Sequence, residues 1–294
     1  MPYIPVGKEN GTNIDIYYED HGSGRPVVLI HGWPLSGDSW EKQVPVLLEE
    51  GYRVITYDRR GFGRSSRPAN GYTYDTFADD LRRVVTTLNL NNATLVGLSM
   101  GGGEVARYLG TYGSRHVAQA VFISAIPPFL LKTADNPEGI EGSVFDGIRK
   151  AIVDDRPEFL SRFFHDFYNA DIFSGKRISE QALRLSWTVA AGASAKGTLD
   201  CVTAWETDFR HDLPLIRIPT LVIHGTADRI VPFGASGKRI HEMVEGSRLV
   251  TMDEAPHGLN WTHAAELNRA LLEFLGSYSP AQKAMKAPVR ATGR

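Results

Sequence analysis

Thr94-Leu95-Val96-Gly97-Leu98-Ser99-Met100-Gly101-Gly102-Gly103 decides the fold. An apolar run ends at Leu98, and a serine then stands between two glycines in the pattern Gly97-Leu98-Ser99-Met100-Gly101. A strand that turns sharply into a helix leaves its central residue in a strained backbone conformation, and glycine suits the flanking positions because a side chain there would collide. Such a turn lifts the serine hydroxyl into the open at the end of a parallel strand. As a bare pattern it also arises by chance in Gly- and Ser-rich loops, so its weight depends on what surrounds it.

Outward from this turn, short β-rich runs at 14–18, 27–30, 53–57 and 94–98 alternate with helix-like segments such as 74–88. The runs Val27-Val28-Leu29-Ile30 and Thr220-Leu221-Val222-Ile223 are continuously apolar, as expected of central strands covered on both faces. This rhythm predicts an α/β architecture, a mostly parallel doubly wound sheet. After the strand expected at 117–123, residues 127–218 have helical periodicity and no convincing strand, which predicts a helical cap inserted after the sixth strand. Its apolar content is strongly aromatic: Phe129, Phe145, Phe159, Phe163, Phe164, Phe167, Phe173, Trp187, Trp205 and Phe209. Most of these are expected to form the cap's own core and a minority to face a pocket. Sheet and helix resume at 219–223, 247–252 and 261–275, so the expected division is a core of 1–126 and 219–278 with the cap between. Residues 279–294 carry Lys283, Lys286, Arg290 and Arg294 with no acid, and are expected to be a disordered tail.

Composition narrows the function classes. A chain of 294 residues with 42% hydrophobic and 22% charged residues can bury a large core. The net charge is −2 and there is no basic stripe, which argues against nucleic acid or an anionic membrane surface as partner. One cysteine, Cys201, permits neither an intramolecular disulfide nor a thiolate metal cluster. The N-terminus lacks a basic segment followed by an apolar one, and no window approaches membrane-spanning length, so a cytoplasmic location is expected.

A serine hydroxyl needs a base to take its proton and an acid to orient that base, and behind a strand-turn-helix serine the chain order is serine, acid, histidine. Asp228, in His224-Gly225-Thr226-Ala227-Asp228, follows the predicted strand 219–223. His257, in Ala255-Pro256-His257-Gly258, follows the strand at 247–252. Each alone has a plain alternative: a turn serine, a capping aspartate, a loop histidine. Three such residues, each at its own strand terminus, are a poor coincidence. The oxyanion of acyl transfer needs backbone donors. Met100 offers an unpaired N–H at a helix start, and Trp33 offers one from the loop after strand 27–30, where Pro34 cannot donate and biases Trp33 toward an extended backbone. His31 and His224 precede the turns that would aim them at Ser99 and are assigned to local hydrogen bonding, and Asp58 to a structural turn. Gly101, Gly102 and Gly103 are expected to permit close helix-to-strand packing.

Together His31-Gly32-Trp33-Pro34, Tyr57-Asp58-Arg59-Arg60-Gly61-Phe62-Gly63, the segment Ser99-Met100-Gly101-Gly102-Gly103-Glu104-Val105-Ala106-Arg107-Tyr108, and Ala255-Pro256-His257-Gly258-Leu259 with Thr262-His263 resemble the cofactor-free haloperoxidase, perhydrolase and arylesterase family of α/β-hydrolases. Asn136-Pro137-Glu138-Gly139 and Val144-Phe145-Asp146-Gly147 are also similar to segments of related γ-lactamases. The resemblance implies an α/β-hydrolase fold and a Ser99, Asp228, His257 triad. It further implies esterase activity on small or aryl esters, with perhydrolysis of carboxylic acids by hydrogen peroxide and no metal, haem or other cofactor. Proline at position 34 goes with perhydrolysis in this family. By family position Pro34, Phe129, Phe145, Ile230, Phe233 and Leu259 are expected to line an apolar pocket.

Haloalkane dehalogenases and epoxide hydrolases carry aspartate where this chain has Ser99, and epoxide hydrolases also need cap tyrosines where residues 127–218 hold only Tyr168. Lactam hydrolysis would use the same triad as ester hydrolysis, and a hydrolase-fold ligand receptor with little turnover would keep it too. A homo-oligomer stays open.

Overall fold

The computed structural model describes residues 2–278; the tail expected at 279–294 lies outside them. The strands are β1 (Tyr3–Glu9), β2 (Thr12–His21), β3 (Pro26–Ile30), β4 (Arg53–Tyr57), β5 (Ala93–Leu98), β6 (Val117–Ile123), β7 (Thr220–Gly225) and β8 (Arg248–Met252). They form one sheet in the order β1-β2-β4-β3-β5-β6-β7-β8. β1 pairs antiparallel with β2 and β2 with β4, while every later pairing is parallel. The helices are α1 (Val44–Glu49), α2 (Tyr74–Thr87), α3 (Met100–Tyr112), α4 (Gly142–Phe167), α5 (Ala170–Phe173), α6 (Glu180–Ala191), α7 (Ala195–Ala204), α8 (Gly237–Met243), α9 (Leu259–Thr262) and α10 (Ala264–Gly276).

β5, β6 and β7 are buried at every position because both faces are covered. Val28 and Ile30 of β3, Leu95 of β5, and Ala120 and Phe122 of β6 join the cluster that includes Phe77, Leu81 and Val84 of α2 and Val105 of α3. The alternate residues Val27 and Leu29, Val96 and Leu98, and Val121 and Ile123 pack on the other side with Leu47 of α1 and Leu267 and Leu271 of α10. This is the doubly wound arrangement, and it is why the runs at 27–30 and 220–223 carry no polar alternation.

α4 to α7 all lie between β6 and β7. α4 is broken at Asp155, whose φ of −157° and ψ of 88° are not helical. The Asp155 carboxylate accepts from Glu158 N at 3.0 Å, capping the second half, and Pro157 near that start has no N–H to be left unpaired. The C-terminal helix expected as one piece is two, α9 and α10, separated at His263, which has φ −121°.

Register lines up the strand ends on one edge of the sheet: Ile30 lies opposite Gly97, Leu98 opposite Ile123, Ile123 opposite Ile223, and Gly225 opposite Met252. In open parallel sheets ligands bind just beyond this edge. The approach of α3 to the sheet there is very close. A Cβ on Gly97 would lie 2.4 Å from the carbonyl oxygen of Gly101, and one on Gly101 would lie 2.4 Å from that of Ile30. Gly102 faces Ala125 and Gly103 faces the ring of Tyr74 in α2, so only part of the glycine run serves helix-to-strand packing and the rest admits neighbouring side chains.

Gly97→Ala should destabilise the fold by about 1–3 kcal/mol, since the added methyl meets backbone rather than a movable side chain. Thermal unfolding should show a Tm lowered by several degrees, at roughly 2–4 °C per kcal/mol; a Tm unchanged within error would contradict the packing described.

Candidate active site

Because β5 ends at Leu98 and α3 starts at Met100, Ser99 alone makes the turn, with φ 54° and ψ −117°. A non-glycine residue there costs on the order of 1–3 kcal/mol unless its surroundings hold it. Here Ser99 N donates to Ile123 O at 2.8 Å, and Ser99 O accepts from Gly102 N at 2.9 Å and Ile126 N at 3.2 Å. Both sides of the residue are therefore pinned, and its side chain lines the cavity above the sheet edge. Gly32 leaves room for it, since a Cβ on Gly32 would sit 3.1 Å from Ser99 Cβ.

Asp228 follows the end of β7 in a turn that cradles its carboxylate. Oδ1 accepts from the amides of Ile230 at 2.9 Å and Val231 at 2.8 Å, and Oδ2 lies 2.7 Å from His257 Nδ1. Burial by itself pushes this carboxyl up, but the His257 and His224 imidazoles beside Oδ2 outweigh it and hold the group well below the usual carboxylate range. The acid is ionised and acts as acceptor.

His257, in the loop after β8, is fully buried, with Phe167 of α4 set edge-on at 4.9 Å. Gly258 N donates to Phe167 O at 2.8 Å, tying this loop to α4. With Nδ1–H given to an ionised carboxylate, Nε2 carries the lone pair, and among the described residues it has no hydrogen-bond partner. It has not closed on the Ser99 hydroxyl; such contacts are commonly long until substrate binds.

Neither the Met100 nor the Trp33 amide has a protein acceptor among the described residues. Trp33 lies in the loop after β3 and Met100 opens α3, both at the end of the sheet beside Ser99 and in positions that suit oxyanion donors. The Trp33–Pro34 peptide is cis. Trp33 is anchored by its side chain, with Nε1 donating to Thr198 O of α7 at 3.2 Å and the ring edge-on to Phe163 at 5.1 Å and Trp205 at 4.8 Å.

A buried charge network supports this loop. Arg59 Nη2 donates to His31 O at 2.8 Å, Arg59 N donates to His31 Nε2 at 2.9 Å, and His31 Nδ1 lies 2.8 Å from Gly32 O. Burial, reinforced by the Arg59 guanidinium, holds His31 well below the usual histidine range, so it stays neutral and can accept from the Arg59 amide. Arg59 also pairs with Glu104 of α3, which accepts from Tyr57 OH as well. Asp58 takes the amides of Gly37 at 2.8 Å and Arg64 at 2.7 Å, the structural turn role expected of it.

The cavity holds about 330 Å³ and is lined mainly by apolar groups, among them Ile126, Leu130, Phe145, Phe163, Trp205, Ile230 and Val231, with Arg162, Asp166 and Arg229 also on its wall. Phe145 and Ile230 line it as expected, but four of the expected pocket residues do not. Phe129 lies under the Arg210 guanidinium at 4.9 Å. Phe233 packs on His224, with ring centroids 5.6 Å apart. Leu259 is buried in the cluster on the other side of the sheet. Pro34 sits inside the turn closed by Leu35 N donating to Gly32 O at 3.1 Å, and of that turn it is Trp33 that reaches the cavity. Of the ten aromatics named between 127 and 218, Phe145, Phe159, Phe163 and Trp205 line the cavity, a minority. Tyr168 turns away to Ser186, 2.9 Å distant.

His224 does not aim at Ser99, yet it is not confined to local bonding either. Its Nε2 lies 3.2 Å from Asp228 Oδ2 and 2.9 Å from Val231 O. Asn169, a residue not singled out from the sequence, donates from Nδ2 to Ala227 O at 2.9 Å and so braces the same turn. Among the described residues no His, Cys, Asp and Glu cluster is placed to hold a metal ion, and no helix is long and apolar enough to cross a membrane.

A family model described as alpha/beta hydrolase fold matches residues 25–264. The chain is 62% identical over 275 residues, covering 94% of it and 100% of the relative, to a Synechocystis protein provisionally named a non-heme chloroperoxidase. It is 40% identical over 271 residues, 90% of this chain and 97% of the other, to an Acinetobacter calcoaceticus bifunctional esterase/perhydrolase. A crystal structure of a bromoperoxidase from Bacillus anthracis superposes with a TM-score of 0.90 at 53% identity, covering 94% of this chain and 99% of that one.

Arg59→Met should destabilise the protein by about 3–5 kcal/mol, because Glu104 would remain as a buried charge without its partner. The urea midpoint measures this; a midpoint equal to that of wild type would contradict the network.

Proposed function

The chain belongs to the α/β-hydrolase fold family, and from that premise we propose that it is a serine hydrolase of small or aryl carboxylic esters that works through an acyl-enzyme and passes the acyl group to water or hydrogen peroxide. The observation that carries this reading is the relay itself: an ionised Asp228 on His257 Nδ1, an unpartnered His257 Nε2, and Ser99 on a strained turn facing an apolar cavity. The relatives named for esterase/perhydrolase and chloroperoxidase activity supply the acceptors.

In this reading Ser99 Oγ attacks the ester carbonyl carbon while His257 Nε2 takes its proton, and Asp228 stabilises the imidazolium that forms. The carbonyl oxygen becomes an anion facing the amides of Met100 and Trp33, which are already oriented and need no rearrangement. Collapse of the tetrahedral species breaks the bond to the alcohol, which leaves with the proton from His257. Water then attacks the acyl-serine, with His257 as base, and releases the carboxylic acid. Hydrogen peroxide in place of water releases the peracid. Run backwards from a free carboxylic acid, acylation expels water, so acid plus peroxide also yields peracid. A peracid oxidises halide in solution, so a haloperoxidase activity needs no redox centre in the protein. Residues 127–218 serve as the cap that holds the acyl or aryl group against Trp33, Phe163 and Trp205 and excludes water.

The test is a panel of an aryl acetate, a strained bicyclic γ-lactam, and acetate with peroxide. Ser99→Ala should abolish ester turnover and peracid formation together, and Asp228→Asn should lower kcat on the order of 10⁴-fold. Ester turnover retained in Ser99→Ala would remove the reading, while fast lactam turnover beside slow ester turnover would reassign the substrate. Since the peroxide step runs on an acyl-serine, halide oxidation in acetate buffer should survive EDTA. Loss of that oxidation with ester hydrolysis intact would separate the two activities.

A further inference from the structure

His224 is a fully buried polar residue at the end of an apolar strand, following Leu221, Val222 and Ile223. Its Nε2 lies 2.9 Å from Val231 O, an atom that can only accept, so Nε2 carries the hydrogen. Nε2 itself lies 3.2 Å from Asp228 Oδ2. Val231 in turn donates its own amide to Asp228 Oδ1 at 2.8 Å. The carboxylate is thus gripped at both oxygens by a ring of contacts that closes through one residue, Val231. The imidazole cannot move out of it. The first residue of α8 lies against the ring, where a Cβ on Gly237 would be 2.6 Å from His224 Nδ1, and Phe233 packs on it at 5.6 Å. Among the described residues Nδ1 is buried without a hydrogen-bond partner. Leaving a ring nitrogen unsatisfied in a strand otherwise filled by aliphatic residues is unfavourable, and the group that gains from it is Asp228.

We propose that His224 is a positioning residue for the hydrolytic reaction: its Nε2–H holds the Val231 carbonyl, and with it the turn whose amides grip Asp228 Oδ1, while the imidazole packs 3.2 Å from the Oδ2 that receives His257 Nδ1–H. This rests on Asp228 being the acid of the relay. With His224 in place, Oδ2 faces His257 at 2.7 Å without having to be oriented during the reaction. Without it, the Val231 carbonyl loses its donor and the turn that presents the Ile230 and Val231 amides to Oδ1 is no longer fixed from behind, so the carboxylate shifts against His257. The loss falls on the transition state, where the imidazolium needs its counter-charge, and leaves ground-state substrate binding in the cap cavity unchanged.

The experiment compares His224→Leu, His224→Gln and Asp228→Asn in the full chain, by steady-state hydrolysis of an aryl acetate. His224→Leu should lower kcat about 10-fold or more with KM within about twofold, since small misplacements of a catalytic group carry such losses. His224→Gln, whose side-chain amide can present an N–H toward Val231 O, should recover most of the kcat. A His224→Leu enzyme with wild-type kcat would overturn the proposal, as would a Gln variant that loses kcat as fully as the Leu variant. Should His224→Leu fail to fold, Gly237→Ala replaces it: its methyl displaces the ring, and kcat should fall at constant KM, whereas an unchanged kcat would overturn the proposal. Full activity in Asp228→Asn would instead remove the underlying relay.

Discussion

Helix α3 meets the sheet backbone to backbone, and the rest of the molecule is arranged around that contact. Gly97 and Gly101 allow it because each would otherwise place a methyl 2.4 Å from a carbonyl oxygen. The chain then has a single residue in which to pass from strand to helix, and Ser99 takes a backbone conformation that its neighbours must hold. They do so through Ile123 O on one side and the amides of Gly102 and Ile126 on the other. Strain at the elbow is thus maintained by ordinary main-chain hydrogen bonds from the adjoining strand and loop.

Parallel register places every other contributor at the same edge. Trp33 follows β3, Ser99 and Met100 follow β5, Asp228 follows β7 and His257 follows β8. The geometry of the proposed relay is then a matter of short turns at fixed strand ends, stiffened from behind. His31, Arg59 and Glu104 hold the loop of Trp33; His224, Val231 and Asn169 hold that of Asp228; Phe167 holds that of His257. The segment between β6 and β7 contributes the opposite wall, and Trp33 joins the two halves by packing its ring on Phe163 and Trp205.

What could be read in the sequence follows from which signals are local. Strands buried on both faces are largely apolar runs, so the ends at Ile30, Leu98 and Ile123 could be found and that of β7, at Gly225, to within two residues, and with them the positions of Ser99, Asp228 and His257 behind strand ends. Edge strand β1 escaped notice because its outer face is exposed and Gly7 and Lys8 break the alternation, and α1 because six residues give too short a period. The cavity wall was read only in part. Phe129 and Phe145 look alike in sequence, yet one lies under Arg210 and the other on the cavity, because long-range packing decides which way each faces. The contact between His224 and Asp228 depends on how residues 225–231 fold back, which no periodicity encodes.

The central claim is that acyl transfer passes through Ser99. Wild-type enzyme quenched with acid during steady turnover of an aryl acetate, then digested and mapped by mass spectrometry, tests it directly. One acetyl group on the peptide bearing Ser99, absent without substrate and discharged within seconds when hydrogen peroxide is added before the quench, is the result expected. Acetyl on another residue, or full turnover with no acylated peptide at any time after mixing, would contradict it.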